Sequence, residues 1–232
     1  MTRGRRVKGR RLPMVLEKGE AEALLAATNT RCKTGLRNRA ILEVMYRAGL
    51  RVSEVVRLRP SDIRWQDGML EIRNSKGGTD RNVPVDQATL GWLEAWDGKR
   101  LRSGHFFSTL RGGQLSPRYL QQMVKRLAER AGVENAKRVT PHVLRHTYAT
   151  ELLNGGFTIR EVQELLGHAN VQTTQLYTHV RPQELALKIR QRGAAGEERA
   201  QAEALAERIA ALPDEARAAL LELLDDHAER AA

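Results

Sequence analysis

Tyr177 stands nine positions after His168 in the run Leu166-Gly167-His168-Ala169-Asn170-Val171-Gln172-Thr173-Thr174-Gln175-Leu176-Tyr177, and Arg51, Lys76, His142 and Arg145 precede it along the chain. A metal-free attack on a phosphodiester needs a nucleophile, fixed cations around the equatorial oxygens and an acid for the departing oxygen, because positioning and charge stabilisation supply most of the rate. This set contains all three. Arg51 and Arg145 suit the oxygens, since a guanidinium stays charged and presents a planar donor fork. Lys76 can deliver a proton once its surroundings lower its pKa. His142 and Arg145 lie at i and i+3 on a helix opened by Thr140-Pro141, which turns both toward one face. His168 adds a donor just beyond Gly167, and the Tyr177 hydroxyl is the nucleophile.

Taken singly, each residue has a plainer reading. Arg51 near a turn and Lys76 in a polar hairpin are ordinary surface cations, His142 beside helical arginines is ordinary structure, and Tyr177 is an ordinary half-buried aromatic. Their joint occurrence is what carries weight. A metal reading exists as well, with His142 and His146 at i and i+4 sharing an ion with His168 or His179. Val143 follows His142 where a His-Glu-x-x-His metalloprotease has its glutamate, and Arg145 repels a cation. The expectation is therefore no metal.

The elements that must hold these groups are legible in part. Apolar residues recur at helical spacing over 17–27 and 36–48, with Gly49 ending the second run and Arg51 at the entry of a short helix over 53–58. Short β-like runs follow at 63–65, 69–73 and 82–85, with Asp67-Gly68 as a tight turn, giving a small three-stranded antiparallel sheet. Its second loop, 74–81, is glycine-rich and carries Lys76 and Arg81. The rest reads as helical. Ser116-Pro117 and Thr140-Pro141 each place a capping hydroxyl before a proline at the first helical position, Gly132 and Gly155-Gly156 close those helices, and Thr158 with Glu161 forms a capping box.

Charge sets the partner class. The chain has 232 residues, 39 Lys+Arg against 28 Asp+Glu, a formal charge of +11 and one cysteine, Cys32. A polyanion binder is expected, and an intramolecular disulfide or a Cys-rich zinc site is excluded. Arg3, Arg5, Arg6, Lys8, Arg10 and Arg11 make residues 1–11 a basic arm able to lie along phosphates. Residues 193–232 hold ten acids and four bases, so this segment carries −6 and the remainder +17. It reads as an acidic helical extension, with stripes Ala202/Leu205/Ile209/Leu212 and Ala216/Leu220/Leu223/Leu224 joined at Pro213-Asp214. No run is apolar enough for a spanning helix, and no secretory pattern opens the chain, so a cytoplasmic setting is expected.

The chain resembles the catalytic domain of the tyrosine recombinase (phage integrase) family, most closely the Xer type. Ala48-Gly49-Leu50-Arg51-Val52-Ser53-Glu54 resembles the first arginine motif, and Ser75-Lys76-Gly77-Gly78-Thr79-Asp80-Arg81 the β-hairpin lysine motif. Thr140-Pro141-His142-Val143-Leu144-Arg145-His146-Thr147 resembles the histidine/second-arginine motif, followed by Leu165-Leu166-Gly167-His168 and Tyr177-Thr178-His179-Val180. The resemblance implies an α+β, mainly α-helical catalytic domain over 12–192, without the N-terminal core-binding domain of most relatives. It implies site-specific strand exchange on double-stranded DNA through a 3′-phosphotyrosyl link without a cofactor, with Arg51, Lys76, His142, Arg145, His168 and Tyr177 as the catalytic set. Lys76 is then the general acid, and His142 either orients the phosphate or deprotonates Tyr177. Lys76, Arg81, Arg118, Arg5 and Arg6 are the expected DNA contacts. The helix over 182–190 resembles a segment that docks on a neighbouring protomer, so self-association on DNA is implied, with a partner recombinase or accessory protein as a further candidate. A nucleoid-associated protein of a prokaryote or phage-infected cell is the implied setting. A catalytically silent DNA-binding relative and a type IB topoisomerase-like enzyme are the competing readings.

Overall fold

The computed structural model describes residues 14–73, 80–167 and 187–194. The chain divides into two compact units, Met1–Arg190 and Gln191–Ala232, and the elements that follow belong to the first. The expected basic arm, residues 74–79 of the lysine loop, the segment with His168 and Tyr177, and residues 195–232 of the acidic extension lie outside the described residues.

The longest buried run among the described residues forms the centre of the fold. Helix α1 spans Lys18–Ala26 and α2 spans Lys33–Tyr46, and every residue from Ala40 to Tyr46 in α2 is buried. A helix buried on all sides must be surrounded, and α2 packs against α4 (Gln87–Asp97) and α6 (Pro141–Asn154). Glu43, inside that buried turn, is held by Arg39 at 2.7 Å and Arg47 at 3.0 Å, which keeps its charge paired. Helix α2 begins earlier than periodicity indicates. Cys32 caps it by accepting from the Gly35 N–H, and Gly35 is needed because a Cβ there would stand 1.8 Å from the Asn29 carbonyl oxygen. The helix also ends earlier, with Arg47 as its cap and Gly49 in the left-handed region at φ 62°.

Helix α3 spans Val52–Arg57, and β1 (Ile63–Arg64), β2 (Met69–Ile72) and β3 (Arg81–Pro84) form a three-stranded antiparallel sheet in sequence order. The register pairs Ile72 with Arg81 and Met69 with Pro84, so Arg81 is the first paired residue of β3. Proline is tolerated at Pro84 because β3 is an edge strand. Helix α4, helical as the general reading of this part of the chain expects, is capped by Asp86 accepting from the Thr89 N–H at 2.8 Å.

The signals read at the remaining helix starts hold. Helix α5 spans Pro117–Arg130 with Ser116 as cap, α6 opens behind the Thr140 hydroxyl, and α7 spans Ile159–Leu166 with Thr158 and Glu161 as a complete capping box. Apolar faces of these elements meet in one large core, while a smaller cluster joins α6 and α7 through Tyr148, Leu152, Phe157, Val162, Leu165, Leu166 and Ile189. Among the described residues, no helix is long and apolar enough to cross a membrane.

Candidate active site

The last turn of α7 gathers three guanidiniums. A helix end leaves carbonyls without partners inside the helix, and its dipole favours cations there. Arg81 donates through Nε to the Leu165 carbonyl at 3.1 Å, Arg145 donates to the Leu166 carbonyl, and Arg51 donates through Nη2 to the Gly167 carbonyl at 2.7 Å. Arg145 also donates to the Gly49 carbonyl. Gly167 stands in the left-handed region at φ 63°, which ends the helix and leaves its carbonyl turned to Arg51.

One carboxylate sits among these cations. Glu54 Oε1 accepts from Arg51 Nη1 and Arg81 Nη1, each at 2.9 Å, while Oε2 accepts from the Arg51 main-chain N–H at 2.8 Å and Arg81 Nη2 at 2.9 Å. Arg81 therefore grips Glu54 with both terminal nitrogens, the two-point geometry that suits a guanidinium. Burial alone raises the Glu54 carboxyl, and the bonds from Arg81 and Arg51 outweigh it and hold the group below the usual carboxylate range. The Arg145 guanidinium is pushed down to about 10, first by burial and then by the like charges of Arg51 and Arg81, with Glu54 opposing. It stays protonated at neutral pH. Three cations against one carboxylate leave a net positive centre whose members repel one another, and a bound anion relieves that repulsion.

The sequence-predicted residues are distributed unevenly about this centre. Arg51 and Arg145 meet at the end of α7. Arg51 is the capping position of α3, with its side chain 21% exposed, and Arg145 is buried in α6. His142 lies in the first turn of the same helix and is exposed. Arg81, expected at the DNA, has its guanidinium on Glu54, with its side chain 9% exposed. Arg118 is exposed on α5 beside Gln121, Gln122, Lys125 and Arg126. Arg5, Arg6, Lys76, His168 and Tyr177 lie outside the described residues. Among the described residues, no cluster of His, Cys, Asp or Glu has the makings of a metal site.

Glu54 is the residue that sequence reasoning passed over. Its signal was present, because a glutamate three positions after a helix cap reaches back to the cap's N–H. Arginine at the capping position hides the signal, having no acceptor to complete the reciprocal pair. The three carbonyls of α7 carry no side-chain signature and are invisible to motif reading.

The model of the Phage integrase family matches residues 14–184. The tyrosine recombinase XerD of Ralstonia nicotianae is 41% identical over 177 residues, covering 73% of this chain and 57% of that protein. The tyrosine recombinase XerC of Xanthomonas campestris pv. campestris is 42% identical over 179 residues, covering 76% of this chain and 54% of that protein. Among solved structures, the XerA recombinase superposes with a TM-score of 0.62 at 32% identity, over 78% of this chain and 64% of that one. The XerH site-specific recombinase bound to difH substrate, a pre-cleavage complex, gives a TM-score of 0.62 at 28% identity, over 76% of this chain and 53% of its own. The chain spans little more than half the length of the two sequence relatives.

Proposed function

The chain belongs to the phage integrase family, and on that premise we propose that it is a site-specific DNA recombinase working through a tyrosine nucleophile without a metal. In this reading the Tyr177 oxygen attacks the scissile phosphorus and forms a 3′-phosphotyrosyl bond, while the bond to the 5′ oxygen breaks. Lys76 gives that oxygen its proton, and the Tyr177 proton leaves to His142 or to solvent. Arg51, Arg145 and His168 hold the charge that builds on the phosphoryl oxygens. The covalent link keeps the free energy of the broken bond, so a 5′-hydroxyl from another strand reverses the attack and rejoins DNA in a new arrangement.

The observation that carries the reading is the net positive centre at the end of α7, where Arg51 and Arg145, far apart in sequence, converge within hydrogen-bonding reach of the consecutive carbonyls of Gly167 and Leu166. His168 is the next residue of the chain. Such an arrangement is the electrostatic half of phosphoryl transfer, prepared before substrate arrives. The exposed cationic face of α5, with Arg118, Lys125 and Arg126, supports a duplex as the substrate, and Arg5 and Arg6 of the basic arm extend that contact in the same proposal.

Self-association on DNA through residues 182–190 is the finer part of the proposal. Ile189 is buried against the α6–α7 cluster of its own chain, and Lys188 pairs with Glu161. The same apolar seat suits the equivalent segment of a second copy or of a partner recombinase. The setting is the cytoplasm, at the nucleoid.

Incubation with a nicked suicide duplex and denaturing electrophoresis test the function. The expected product is a covalent protein–DNA adduct that survives chelator and disappears in Tyr177→Phe. An adduct that Tyr177→Phe still forms, or none from the unsubstituted chain, refutes it.

A further inference from the structure

We infer that Arg81 is a positioning residue for this chemistry, acting through Glu54 to set how much charge Arg51 presents to the scissile phosphate; the inference rests on the proposed strand-cleavage function. Glu54 is buried and accepts from both arginines at once, with Oε1 shared between Arg51 Nη1 and Arg81 Nη1 at 2.9 Å each. Its second oxygen is also divided, between the Arg51 N–H and Arg81 Nη2. A carboxylate divided in this way fixes the Arg51 side chain without neutralising it.

Arg81 is built to stay where it is. Its Nε is held by the Leu165 carbonyl at 3.1 Å, and its side chain lies across Gly167, where a Cβ would stand 2.9 Å from Arg81 Cδ and 3.0 Å from Nε. With 9% of its side chain exposed, it is turned toward Glu54, while Arg51 keeps 21% exposed. Arg51 is thus the cation offered to an anion, and Arg81 is the cation that answers Glu54.

Charge counting separates this role from simple packing. With Arg51, Arg81, Arg145 and Glu54 in place the centre is +2. Arg81→Gln leaves Glu54 to Arg51 alone and lowers the centre to +1. Arg81→Gln with Glu54→Gln removes one charge of each sign and returns it to +2. Arg81→Lys keeps the charge and one of the two contacts.

The test measures the single-turnover rate of adduct formation and the Kd for the nicked duplex in the unsubstituted chain and these three variants, with thermal melting to normalise for folded protein. Arg81→Gln is expected to slow adduct formation about tenfold or more while Kd stays within about threefold, a smaller loss than deleting a direct oxyanion donor. The double variant is expected to recover at least half of that loss on a logarithmic scale, and Arg81→Lys to stay within about threefold of the unsubstituted rate. Three results overturn the inference: a smaller loss in Arg81→Gln, a double variant as slow as the single one, or a lysine variant as slow as the glutamine variant. An unsubstituted chain that forms no adduct removes the functional reading itself, which the variant series alone cannot do.

Discussion

The Arg145 guanidinium donates to the main-chain carbonyl of Leu166, twenty-one residues downstream, and so ties α6 to the end of α7. The same side chain donates to the Gly49 carbonyl, which brings the turn before Arg51 into the arrangement. One buried cation therefore fixes three stretches of chain around the net positive centre.

Arg145→Lys is expected to cost more than its charge. Lysine is a point charge on a flexible stem and cannot span both carbonyls. Single-turnover adduct formation should fall about 100-fold or more, in the range seen when a preorganised donor is removed. The lowered Arg145 pKa, about 10, adds a sign. The folded chain holds this proton less tightly than the unfolded one, so its buried charge costs stability at neutral pH, and that cost fades as pH rises through about 10. Inorganic phosphate should therefore raise the melting temperature at pH 7 in the unsubstituted chain, and do so less in Arg145→Met.

Glu54→Gln should change acid stability in a defined window. The folded carboxyl lies below its ordinary value of 4.5, so its contribution is present above about pH 4.5 and is lost as pH falls through the folded value. The variant should be less stable at neutral pH by about 2 kcal/mol, because two partly buried guanidiniums lose the carboxylate they share. Its unfolding free energy should also fall less steeply below pH 4.5. Urea titrations at pH 3.5, 4.5 and 7 check both; parallel pH profiles for the two proteins contradict the prediction.

Gly167→Ala combines a backbone penalty with a collision, and Gly132→Ala separates the two. Both glycines have positive φ, 63° and 69°, but nothing lies within 4 Å of a Cβ at Gly132. Gly132→Ala should cost about 1 kcal/mol, the left-handed penalty alone. Gly167→Ala should cost about 3 kcal/mol and slow adduct formation, since Arg81 must shift to admit the methyl group. Equal losses by chemical denaturation would show that Arg81 gives way freely.

DNA binding should weaken steeply with salt, as residues 1–192 carry +17. Arg118→Ala, on the exposed face of α5, should weaken binding evenly across sequences and lower the slope of log K against log salt by about one. Fluorescence anisotropy at several salt concentrations measures this, and an unchanged slope removes Arg118 from the phosphate contacts.

Much of the scaffold is legible in the sequence, for local physical reasons. Ser116-Pro117, Thr140-Pro141 and the Thr158–Glu161 box announce helix starts through contacts spanning three residues, and the sheet follows from short apolar runs around Asp67-Gly68. Helix α2 was displaced by three residues at its start because Cys32 is a weak capping acceptor and Gly35 in a first turn reads as a breaker. The site was legible only as residue types. Arg51 and Arg145 could be paired through the resemblance, but their partners are carbonyls at separations of 116, 96 and 21 residues, which no spacing rule reaches. Arg81 reads from the sequence as one of two cations of a glycine-rich hairpin loop, and its bonds to Glu54 and to the Leu165 carbonyl span 27 and 84 residues, beyond the reach of any local signal.

The carbonyls of Leu165, Leu166 and Gly167 are consecutive at the end of α7, so the path of that short stretch of backbone sets the places of Arg81, Arg145 and Arg51 together. Any change in how α7 ends is therefore felt by all three guanidiniums at once.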